Sequence, residues 1–487
     1  MKLADVLAGV SVLDLCGDRE KDILGITYSS RSVEPGFLFA AMKGEKSDGL
    51  NFLDESLDRG AVAVLSDRQM PDNFLQSWIQ VCNPRLALAL CAANFYSHPS
   101  EEIEVIGITG TKGKTTVTYI LEEILKAAGC RPGVIGTITY RGPQGELTAE
   151  RTTPEAPDLQ NMLREMVEDG ATHCVMEVSS QGLDLHRVTG IDFRVTAFTN
   201  MSGEHLDYHK SMEQYFEAKK KLFLQPGKKK IAVINQDDAW GRKLSSHLST
   251  GVITFGTESN SMIRADSFSF SEKGIEADIT YPAGKISLKS SLLGRPNLYN
   301  ILAATACALA MNIPISAIKE GISSLRGVPG RFQKIDNPLG IYVFVDYAHT
   351  DDPLKNLLET ARELCEGKII LVFGAGGDRD RTKRPRMGEV AGTYADWTII
   401  TSDNPRSEDP LAIISEIEIG IQKTGSNKYH IEPDRKKAIR EALALAKKED
   451  YVLVAGKGHE TYQIIKDKVF PFDDAEIIRN IIKDMEA

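Results

Sequence analysis

A glycine- and threonine-rich segment between a strand-like run and a helix-like run constrains this sequence most. Residues 103–108 are apolar and β-like, residues 117–128 have a helical pattern, and Gly107-Ile-Thr-Gly-Thr-Lys-Gly-Lys-Thr-Thr116 lies between them. Glycines let backbone N–H groups approach phosphates, and a helix N-terminus adds partial positive charge. Lys114 is placed to reach the β- and γ-phosphates of a nucleotide, and the Thr115 hydroxyl is placed to bind Mg²⁺. The first glycine departs from the common spacing, so a turn that binds no ligand is the alternative.

Strand-like and helix-like runs alternate along most of the remaining sequence. Buried-strand candidates lie at residues 134–138, 173–178, 194–198 and 230–235, and a second series lies at 341–346, 368–374, 397–402 and 451–456. This alternation predicts parallel sheets with helices on both faces and ligands at the carboxyl ends of the strands. At 487 residues, the chain is long enough for about three domains. We therefore predict an α/β fold of three domains, with a central P-loop domain and a C-terminal Rossmann-like domain; residues 252–292 are expected to form hairpins.

Composition restricts the partners and the compartment. The net charge of −10 argues against a nucleic-acid partner, and the sequence lacks an apolar run of about 18 residues that could span a membrane. The seven cysteines are scattered without a CxxC pair, which is typical of reduced thiols in the cytoplasm. We expect a cytoplasmic monomer that acts on small molecules and does not insert into a membrane.

Polar side chains lie at the ends of the predicted strands of the central region, among them Glu177, Asn200 and Asn235. Glu177 ends one strand, and a carboxylate beside a phosphate loop is a natural Mg²⁺ ligand, although it could instead cap the next turn. Ser179 and Arg187 follow it and are candidates to hold an anionic group of a substrate. His205 and His209 are four residues apart, and we predict His205 as a further metal ligand.

The C-terminal region contains four motifs of the same kind. Asp346-Tyr-Ala-His-Thr350 ends a strand and either binds a ligand or caps the next helix. The glycine-rich turn at residues 373–385 bears arginines that suit a phosphate or carboxylate, with a charged surface loop as the alternative. Asp403-Asn-Pro-Arg406 offers an amide and a guanidinium to a zwitterion, and Ala455-Gly-Lys-Gly-His-Glu460 places a carboxylate to receive an ammonium group.

Together these motifs resemble the Mur ligases of bacterial cell-wall synthesis. The resemblance covers nearly the whole chain and is carried, in the family's order, by Thr109-Gly-Thr-Lys-Gly-Lys-Thr-Thr116, Glu177-Val-Ser-Ser180, His205-Leu-Asp-Tyr-His209, Gly294-Arg-Pro-Asn-Leu-Tyr-Asn300, Pro329-Gly-Arg331 and Asp346-Tyr-Ala-His-Thr350. It implies ATP-dependent formation of an amide bond through an acyl phosphate, in the synthesis of peptidoglycan precursors. Asp403-Asn-Pro-Arg406 resembles the signature of members that add meso-diaminopimelate, rather than L-lysine, to UDP-N-acetylmuramoyl-L-alanyl-D-glutamate.

The resemblance also implies domains and binding residues. Residues 1–98 would bind the UDP-sugar, residues 99–328 ATP, and residues 329–487 the incoming amino acid. The positions that match the ATP site are Gly110, Thr111, Lys112, Gly113, Lys114, Thr115, Thr116, Asn300, Arg331 and His349. Those that match the UDP-muramoyl-dipeptide site are Ser30, Glu45, Lys46, Ser47, Thr152, Thr153, Ser179 and Arg187. Those that match the diaminopimelate site are Arg379, Asp403, Asn404, Pro405, Arg406, Gly456 and Glu460.

The implied catalytic residues are Lys114, Glu177, His205 and Lys219, and the implied magnesium ligands or their neighbours are Thr115, Glu177, His205 and Lys219. Lys219 lies in a helical run, and its pattern alone predicts a solvated helix lysine. The resemblance implies instead that Lys219 is carbamylated. Addition of CO₂ to the neutral amine would give an anion able to bind a second Mg²⁺, which requires a site that lowers the lysine pKa.

The sequence departs from the family pattern at three positions, and other functions stay open. Leu185 stands where many members have Gln, Arg151 where some have Asn, and Asp351 where Pro is common. The alternatives of the same architecture are an L-lysine-adding ligase and a folylpolyglutamate synthetase; the Asp-Asn-Pro-Arg turn argues against both. A third alternative is a non-enzymatic nucleotide switch whose C-terminal loops bind a protein, and it predicts slow ATP hydrolysis that amino acids do not accelerate.

Overall fold

Three β-sheets with helices between their strands make up most of the structure. A computed structural model of the chain describes residues 1–44, 47–227, 230–249, 251–258 and 260–486. The chain forms two compact units, one of Met1–Asp266, Asp278–Ile286 and Tyr299–Ile322, the other of Ser267–Ala277, Ser287–Leu298 and Ser323–Ala487. The large sheets have five, eleven and six strands, and most of their pairings are parallel. The predicted α/β fold is confirmed, whereas the domain boundaries after residues 98 and 328 stay predictions.

The N-terminal sheet has the strand order β1-β5-β4-β3-β2, with β1 antiparallel to β5 and the other pairs parallel. Helix α3 follows β5 in the sequence. The Asn83 side chain caps this helix by accepting hydrogen bonds from the N–H groups of Arg85 and Leu86. The Tyr28 hydroxyl donates to Asp158 of the next domain at 2.8 Å. The elements are α1 (Leu3–Val6), β1 (Val12–Cys16), β2 (Gly25–Thr27), β3 (Phe37–Ala40), α2 (Leu53–Asp58), β4 (Ala63–Ser66), β5 (Ser77–Val81) and α3 (Pro84–Phe95), with short 3-10 helices at Ser30–Ser32, Gly49–Phe52 and Pro99–Glu101.

The central sheet has the strand order β16-β15-β14-β13-β12-β11-β6-β10-β7-β8-β9. Its elements are β6 (Glu104–Thr109), α4 (Lys114–Ala127), β7 (Pro132–Ile135), β8 (Thr139–Gly142), β9 (Gly145–Thr148), α5 (Ala156–Glu168), β10 (His173–Glu177), α6 (Ser180–Asp184), β11 (Phe193–Phe198), α7 (Leu206–His209), α8 (Met212–Leu224), β12 (Ile231–Asn235), α9 (Ala239–Ser245), β13 (Val252–Gly256), β14 (Ile263–Ser271), β15 (Gly274–Tyr281), β16 (Gly284–Ser290), α10 (Arg295–Ala310) and α11 (Ile315–Ser324).

The register of the central parallel strands places the polar motifs at one sheet edge. Strand β6 lies between β10 and β11, and Ile108 pairs with Glu177 while Thr109 pairs with Phe198. On the next strand, Phe198 pairs with Ile234, the residue before Asn235. The glycine loop, Glu177 and the residues after β11 and β12 therefore leave the sheet side by side, as the sequence predicted.

Three predicted boundaries in this region differ from the structure. Residues 252–256 pair in parallel with β12, so they extend the parallel sheet and do not begin a hairpin; β14, β15 and β16 are sheet neighbours, as expected of hairpins. Helix α4 begins at Lys114 instead of residue 117 because its first turn is the polar part of the loop. Strand β7 ends at Ile135, before Thr137 turns towards Glu177.

The C-terminal sheet has the strand order β17-β18-β22-β19-β20-β21, and all its pairs but β17–β18 are parallel. Two apolar clusters pack on it: one includes Leu358 of α12 and Ile414 of α14, and the other Ile439 of α15 and Ile478 of α16. The elements are β17 (Gln333–Ile335), β18 (Tyr342–Asp346), α12 (Asp351–Leu364), β19 (Ile369–Phe373), α13 (Lys383–Tyr394), β20 (Trp397–Ile400), α14 (Pro410–Lys423), β21 (Tyr429–Ile431), α15 (Arg435–Leu445), β22 (Tyr451–Ala455), the hairpin β23 (Tyr462–Ile465) and β24 (Lys468–Pro471), and α16 (Asp474–Glu486).

Two arginine–aspartate pairs link α15 to α16 and differ in burial. The Arg435 guanidinium donates to both Asp474 oxygens at 2.8 and 2.7 Å, and both side chains are 0% exposed. Arg440 and Asp484 pair at 2.9 Å with side chains 48% and 62% exposed. Only the first pair is shielded from solvent, so the two should contribute very differently to stability.

We expect Asp474→Asn to lower the free energy of unfolding of this unit by about 3 to 5 kcal/mol, because it leaves a buried guanidinium uncompensated. The matched change Asp484→Asn should cost only about 0 to 1 kcal/mol. Urea unfolding measures the difference, and hydrogen exchange of α15 amides assigns it to this unit. Equal losses in both variants would contradict the assignment.

Candidate active site

The loop between β6 and α4 has a backbone that only glycine fits at two positions. Gly110 and Gly113 have φ angles of +150° and +88°. A Cβ atom on Gly110 would lie 1.9 Å from Thr199 Oγ1, and one on Gly113 would lie 2.3 Å from Asn300 Oδ1. Both glycines are therefore required by close neighbours as well as by the left-handed backbone. Asn300, predicted to bind nucleotide, lies directly against the loop.

Side chains that follow β11 and β12 hold this loop. Thr199 Oγ1 and Asn200 Nδ2 donate to the Lys112 carbonyl at 2.6 and 3.1 Å, and Asn200 Oδ1 accepts the Lys112 N–H at 3.0 Å. Asn235 Nδ2 donates to the Thr199 carbonyl at 2.8 Å. The two asparagines were recognised from the sequence as strand-end residues, whereas Thr199 was missed although it directly follows the same strand.

Two lysines donate to one carbonyl of the loop. Lys114 Nζ donates to the carbonyls of Gly110 and Thr111, each at 2.9 Å, and Lys219 Nζ donates to Gly110 at 2.9 Å. Lys219 is 1% exposed, so the pattern-based prediction of a solvated helix lysine is wrong. The reason is its position four residues after Tyr215, on the face of α8 that packs against the domain.

The surroundings of Lys219 disfavour its charged form. Within the described ranges no carboxylate forms an ion pair with its Nζ, although the Tyr215 ring, whose centre lies 4.4 Å away, is a contact that favours a cation. Burial, with a further contribution from the Lys114 charge, holds the pKa of Lys219 well below its ordinary value. This shift favours the neutral amine that carbamylation requires.

Glu177 accepts hydrogen bonds from the hydroxyl groups of two neighbouring segments. Its carboxylate accepts hydrogen bonds from Thr115 Oγ1 at 3.1 Å, from Thr137 N at 2.9 Å and from Thr137 Oγ1 at 3.0 Å. Thr115 and Glu177 thus meet, and their oxygen atoms are donors that Mg²⁺ prefers. Thr137 was missed by the sequence reasoning, which placed it inside a strand. No group of three or more His, Cys, Asp or Glu side chains among the described residues is arranged to hold a metal.

The two histidines of the predicted metal motif have different environments. His209 is buried, and its Nε2 lies 2.8 Å from Ser180 Oγ, so it supports the fold. His205 has a left-handed φ of +57° and an exposed side chain whose ring centre is 6.1 Å from that of Tyr215. The Tyr215 hydroxyl in turn lies 3.2 Å from Thr111 Oγ1. His205 is therefore close to the loop, and its role as a metal ligand stays a prediction.

Three arginines surround one buried carboxylate beside this edge. Glu155 pairs with Arg187 at 2.8 Å, Arg151 at 2.7 Å and Arg85 at 3.3 Å. Three guanidinium charges face one carboxylate, which leaves positive charge for an anionic ligand. Arg187 was predicted to hold such a group, whereas Arg85 and Glu155 were missed because their motifs alone give no sign of this pairing.

The other residues predicted for the sugar-dipeptide site have mostly local partners. Thr153 Oγ1 donates to the Glu177 carbonyl and accepts the Ser179 N–H, each at 3.0 Å. Ser179 Oγ caps α6, and Thr152 Oγ1 lies 3.1 Å from Thr137 Oγ1. These contacts bring Thr152, Thr153 and Ser179 together with Glu177. The remaining predicted residues are Ser30, which is buried, Ser47, which is exposed, and Glu45 and Lys46, which lie outside the described residues.

In the C-terminal unit, the glycine-rich turn packs against the Asp403–Arg406 turn. The Gly377 N–H donates to the Asn404 carbonyl at 2.9 Å, and Arg406 Nη1 donates to the Gly377 carbonyl at 2.8 Å. A Cβ atom on Gly377 would lie 1.9 Å from the Pro405 carbonyl oxygen. Arg379 is exposed at this turn. The structure thus brings the predicted residues Arg379, Asn404, Pro405 and Arg406 together.

Arg384 of the same segment has a structural role. It is 0% exposed and donates to Glu408 at 2.8 and 2.9 Å, to Glu416 at 2.8 Å and to the Gly376 carbonyl at 3.2 Å. The charge of Arg384 is therefore paired inside the protein. Of the arginines in the glycine-rich turn, we retain only Arg379 as a candidate for binding a ligand.

The β23–β24 hairpin fixes the backbone of the Asp403–Arg406 turn. Arg406 has a left-handed φ of +51°, its N–H donates to Ile464 at 3.0 Å, and its carbonyl accepts from Lys466 at 2.7 Å. Gln463 Nε2 donates to the Asp403 carbonyl at 2.7 Å. The backbone of the turn is thus held by a hairpin that is distant from it in the sequence.

Asn404 and Glu460 form the polar centre of this site. Asn404 Nδ2 donates to Glu460 Oε2 at 2.8 Å, and burial raises the pKa of Glu460. Gly456 has a φ of +114°, and a Cβ atom there would lie 2.5 Å from Asp403 Oδ2. The predicted residues Asp403, Asn404, Gly456 and Glu460 are therefore neighbours. Lys457, which contacts both Asn404 and Glu460, was missed by the sequence reasoning.

Arg331 and His349 both lie on the ring of Tyr347. The Arg331 guanidinium is 5.0 Å from the ring centre, the His349 ring is 4.6 Å away, and His349 Nδ1 lies 2.8 Å from the Tyr347 carbonyl. Asp346 accepts the N–H groups of Ala348 and Phe332 at 2.8 and 2.7 Å, so it stabilises its own turn. The N-cap residue of α12 is Thr350, so the alternative that Asp346 caps that helix is wrong. Nucleotide binding by Arg331 and His349 stays a prediction.

Comparisons with known proteins identify the family. Three family models match in succession: "Mur ligase family, catalytic domain" over residues 22–96, "Mur ligase middle domain" over 108–308 and "Mur ligase, glutamate ligase domain" over 330–458. The chain belongs to the Mur ligase family. The resemblance seen in the sequence is thereby confirmed.

Individual Mur ligases match over the full length. A protein named UDP-N-acetylmuramoyl-L-alanyl-D-glutamate--2,6-diaminopimelate ligase, from Caldanaerobacter subterraneus subsp. tengcongensis, is 44% identical over 486 residues, which cover 100% of both chains. A solved structure of a ligase with that name is 30% identical with a TM-score of 0.72, covering 100% of this chain and 99% of its own. A MurF ligase from Thermotoga maritima in complex with ADP is 22% identical with a TM-score of 0.64, covering 95% and 98%, and shows likeness of fold. No helix in the described part of the chain has the length and apolar character to cross a membrane.

We expect Gly110→Ala to weaken nucleotide binding at least roughly tenfold, because the new methyl group displaces Thr199 from the loop; tenfold corresponds to about 1.4 kcal/mol. Gly129→Ala is the matched control: it has a φ of +76°, follows the same helix α4, and a Cβ atom there meets nothing within 4 Å. It should bear the backbone strain of about 1 to 2 kcal/mol without loss of affinity. Titration with a fluorescent ATP analogue compares them, and equal affinities would contradict the role of Gly110.

Proposed function

We propose that this protein is an ATP-dependent ligase that joins meso-2,6-diaminopimelate to the D-glutamate of UDP-N-acetylmuramoyl-L-alanyl-D-glutamate, a step in peptidoglycan precursor synthesis. The observation that carries the proposal is the pairing of Asn404 with Glu460 beside Arg406. This arrangement offers a carboxylate and a guanidinium to a zwitterionic amino acid. Full-length similarity to ligases with this name supports the same substrates.

The central loop would bind ATP as the energy-supplying substrate. Lys114 and the loop N–H groups would stabilise the charge that spreads over the γ-phosphate during transfer. Thr115 and Glu177 would hold Mg²⁺, with His205 and a carbamylated Lys219 as further candidates; the ion supplies positive charge next to the phosphates. The D-glutamate γ-carboxylate attacks the γ-phosphate to form an acyl phosphate and ADP. An amine of diaminopimelate then attacks the acyl carbon, and the tetrahedral intermediate collapses to the amide and phosphate.

The UDP-sugar would bind to the N-terminal domain and the adjoining edge of the central domain. We assign residues 1–98 to the nucleotide-sugar, 99–328 to ATP and 329–487 to the amino acid. The excess positive charge of Arg85, Arg151 and Arg187 over Glu155 favours a dipeptide carboxylate at this edge. Arg151 replaces the Asn of some family members and is part of this cluster.

The cysteines and the substrates point to the same compartment. The seven thiols are free in the structure, and ATP and a UDP-sugar are cytoplasmic metabolites. We propose that the enzyme works in the cytoplasm, and we expect a monomer that binds only these small molecules.

One assay tests the proposed function against its alternatives. ATP turnover is measured with UDP-N-acetylmuramoyl-L-alanyl-D-glutamate and a panel of amino acids. Turnover that depends on meso-diaminopimelate supports the proposal, and equal or better turnover with L-lysine indicates the lysine-adding ligase. Slow turnover that no amino acid accelerates indicates the nucleotide switch.

We expect Lys219→Ala to lower kcat by roughly 100-fold to 1000-fold, the scale for loss of one electrostatic group at a reacting centre. Small carboxylates such as acetate should partly restore activity, because they replace the missing carbamate anion in the vacated space. Labelled bicarbonate should exchange into the wild-type protein and not into the variant. Full activity of the variant in CO₂-depleted buffer would exclude a functional carbamate.

We expect Arg406→Ala to raise KM for meso-diaminopimelate at least roughly tenfold, because the far carboxylate loses a charged partner worth about 1.5 to 3 kcal/mol. The KM values for ATP and the UDP-sugar should stay nearly constant. Arg479→Ala, an exposed arginine of α16, is the control for loss of one surface charge. Steady-state kinetics decide the matter, and an unchanged preference for diaminopimelate over lysine in Arg406→Ala would show that Arg406 does not select the substrate.

A further inference from the structure

Lys457 is a fully buried ammonium group at the amino-acid site. It is 0% exposed, and its Nζ lies 3.3 Å from Asn404 Oδ1 and 3.4 Å from Glu460 Oε2. The rings of Tyr462 and Phe472 lie 5.6 and 6.0 Å from Nζ. Placing a charged lysine in such a position is costly unless it is compensated. The acids next to it are residues assigned to substrate binding.

Lys457 fixes which way the Asn404 amide points. Asn404 Oδ1 accepts from Lys457 and from the Ile464 N–H at 2.9 Å, while Asn404 Nδ2 donates to Glu460. Two donors on one side and a carboxylate on the other allow a single orientation of the amide. Without Lys457, only the Ile464 N–H would hold the oxygen in place.

Lys457 also determines which of the two Glu460 oxygens is available to a ligand. Both hydrogen bonds that the described residues make to this carboxylate, from Asn404 and from Lys457, reach Oε2. Oε1 is therefore the oxygen left for the ammonium group of an incoming amino acid. The contact with Lys457 therefore helps to hold the carboxylate in this rotation.

The charges around Glu460 require a cation in this position. Burial and the nearby Asp403 raise the pKa of Glu460, and Lys457 opposes that rise. Burial lowers the pKa of Lys457, and Asp403 and Glu460 oppose that fall. The other groups that interact electrostatically with Glu460 are Arg435, Tyr347 and Tyr462. Arg435 is already paired with Asp474, and Lys383 interacts with Asp403, so among the described residues Lys457 is the cation in direct contact with Glu460.

We infer that Lys457 is a positioning residue for the incoming amino acid: it holds Glu460 through Oε2, which leaves Oε1 for the substrate ammonium, and it orients the Asn404 amide. This inference rests on the proposed function, because it assumes that Glu460 receives an ammonium group of the amino acid. Lys457 itself does not contact the substrate.

The test variant is Lys457→Met, which keeps the length of the side chain and removes its charge. Without the lysine, the pKa of Glu460 rises further, and both the carboxylate and the Asn404 amide lose a donor that fixes their orientation, so the pair binds an ammonium group less well. The KM for meso-diaminopimelate should rise at least roughly tenfold near neutral pH. The KM for ATP should not change. Lys468→Met, an exposed lysine on β24 of the adjacent hairpin, is the matched control.

The pH dependence separates this role from a structural one. The ratio of the KM of Lys457→Met to that of the wild type should fall as pH rises, because Glu460 regains its charge above its raised pKa. Titration of the substrate amines affects both proteins equally and cancels in the ratio. A ratio that is constant with pH would overturn the inference.

A double variant keeps the test decisive if Lys457→Met is unstable. Glu460→Gln removes the acid that Lys457 compensates, so Lys457→Met/Glu460→Gln should unfold at a higher temperature than Lys457→Met. A double variant that is no more stable than Lys457→Met would show that Lys457 does not compensate Glu460 and would overturn the inference. If the wild type does not ligate diaminopimelate at all, the proposed function fails; if it does and the KM ratio is unity, only the role of Lys457 fails.

Discussion

The parallel register of β6 between β10 and β11 is the constraint on which the candidate active site depends. It places the end of β6 beside Glu177 and beside the residues that follow β11. Because parallel strands end at the same edge, three segments that are distant in sequence meet there without long connecting loops. Thr115, Glu177 and Thr137 come from three such segments, and the partners of the Lys112 backbone come from a fourth, the residues after β11.

The site combines a rigid frame with concentrated positive charge. Lys114 donates to the Gly110 carbonyl, and three arginines share Glu155. In both places an acceptor of the protein partly satisfies the cations without cancelling their charge. Anionic substrates therefore meet donors that are already oriented, which reduces the reorganisation that binding and phosphoryl transfer require. Under the proposed function, the charges are reversed at Glu460, where a carboxylate is held in place for a cationic group of the substrate.

The sequence was sufficient for the fold class, the family and the grouping of most site residues, because strand ends and glycine turns leave local signals. Lys219 shows where local signals fail: its helix pattern predicts solvent, and only tertiary packing reveals that its face of α8 is buried. Thr137, Glu155 and Lys457 were missed for a related reason. Thr137 lies 40 residues from Glu177, Glu155 lies 70 from Arg85, and Lys457 lies 53 from Asn404, so these pairings depend on the register of the sheets. The short-range pairs Arg151–Glu155 and Lys457–Glu460 were overlooked.

The hairpin that holds the Asp403–Arg406 turn has an evolutionary consequence. The turn owes its left-handed Arg406 backbone to main-chain contacts with Ile464 and Lys466, which follow it by about sixty residues. Under the proposed function, amino-acid preference is therefore a shared property of two separate gene segments. A lineage that exchanges one amino acid for another at this site would have to change both segments together or pass through an intermediate in which the turn has the right residues in the wrong place. The same coupling would limit drift in the hairpin.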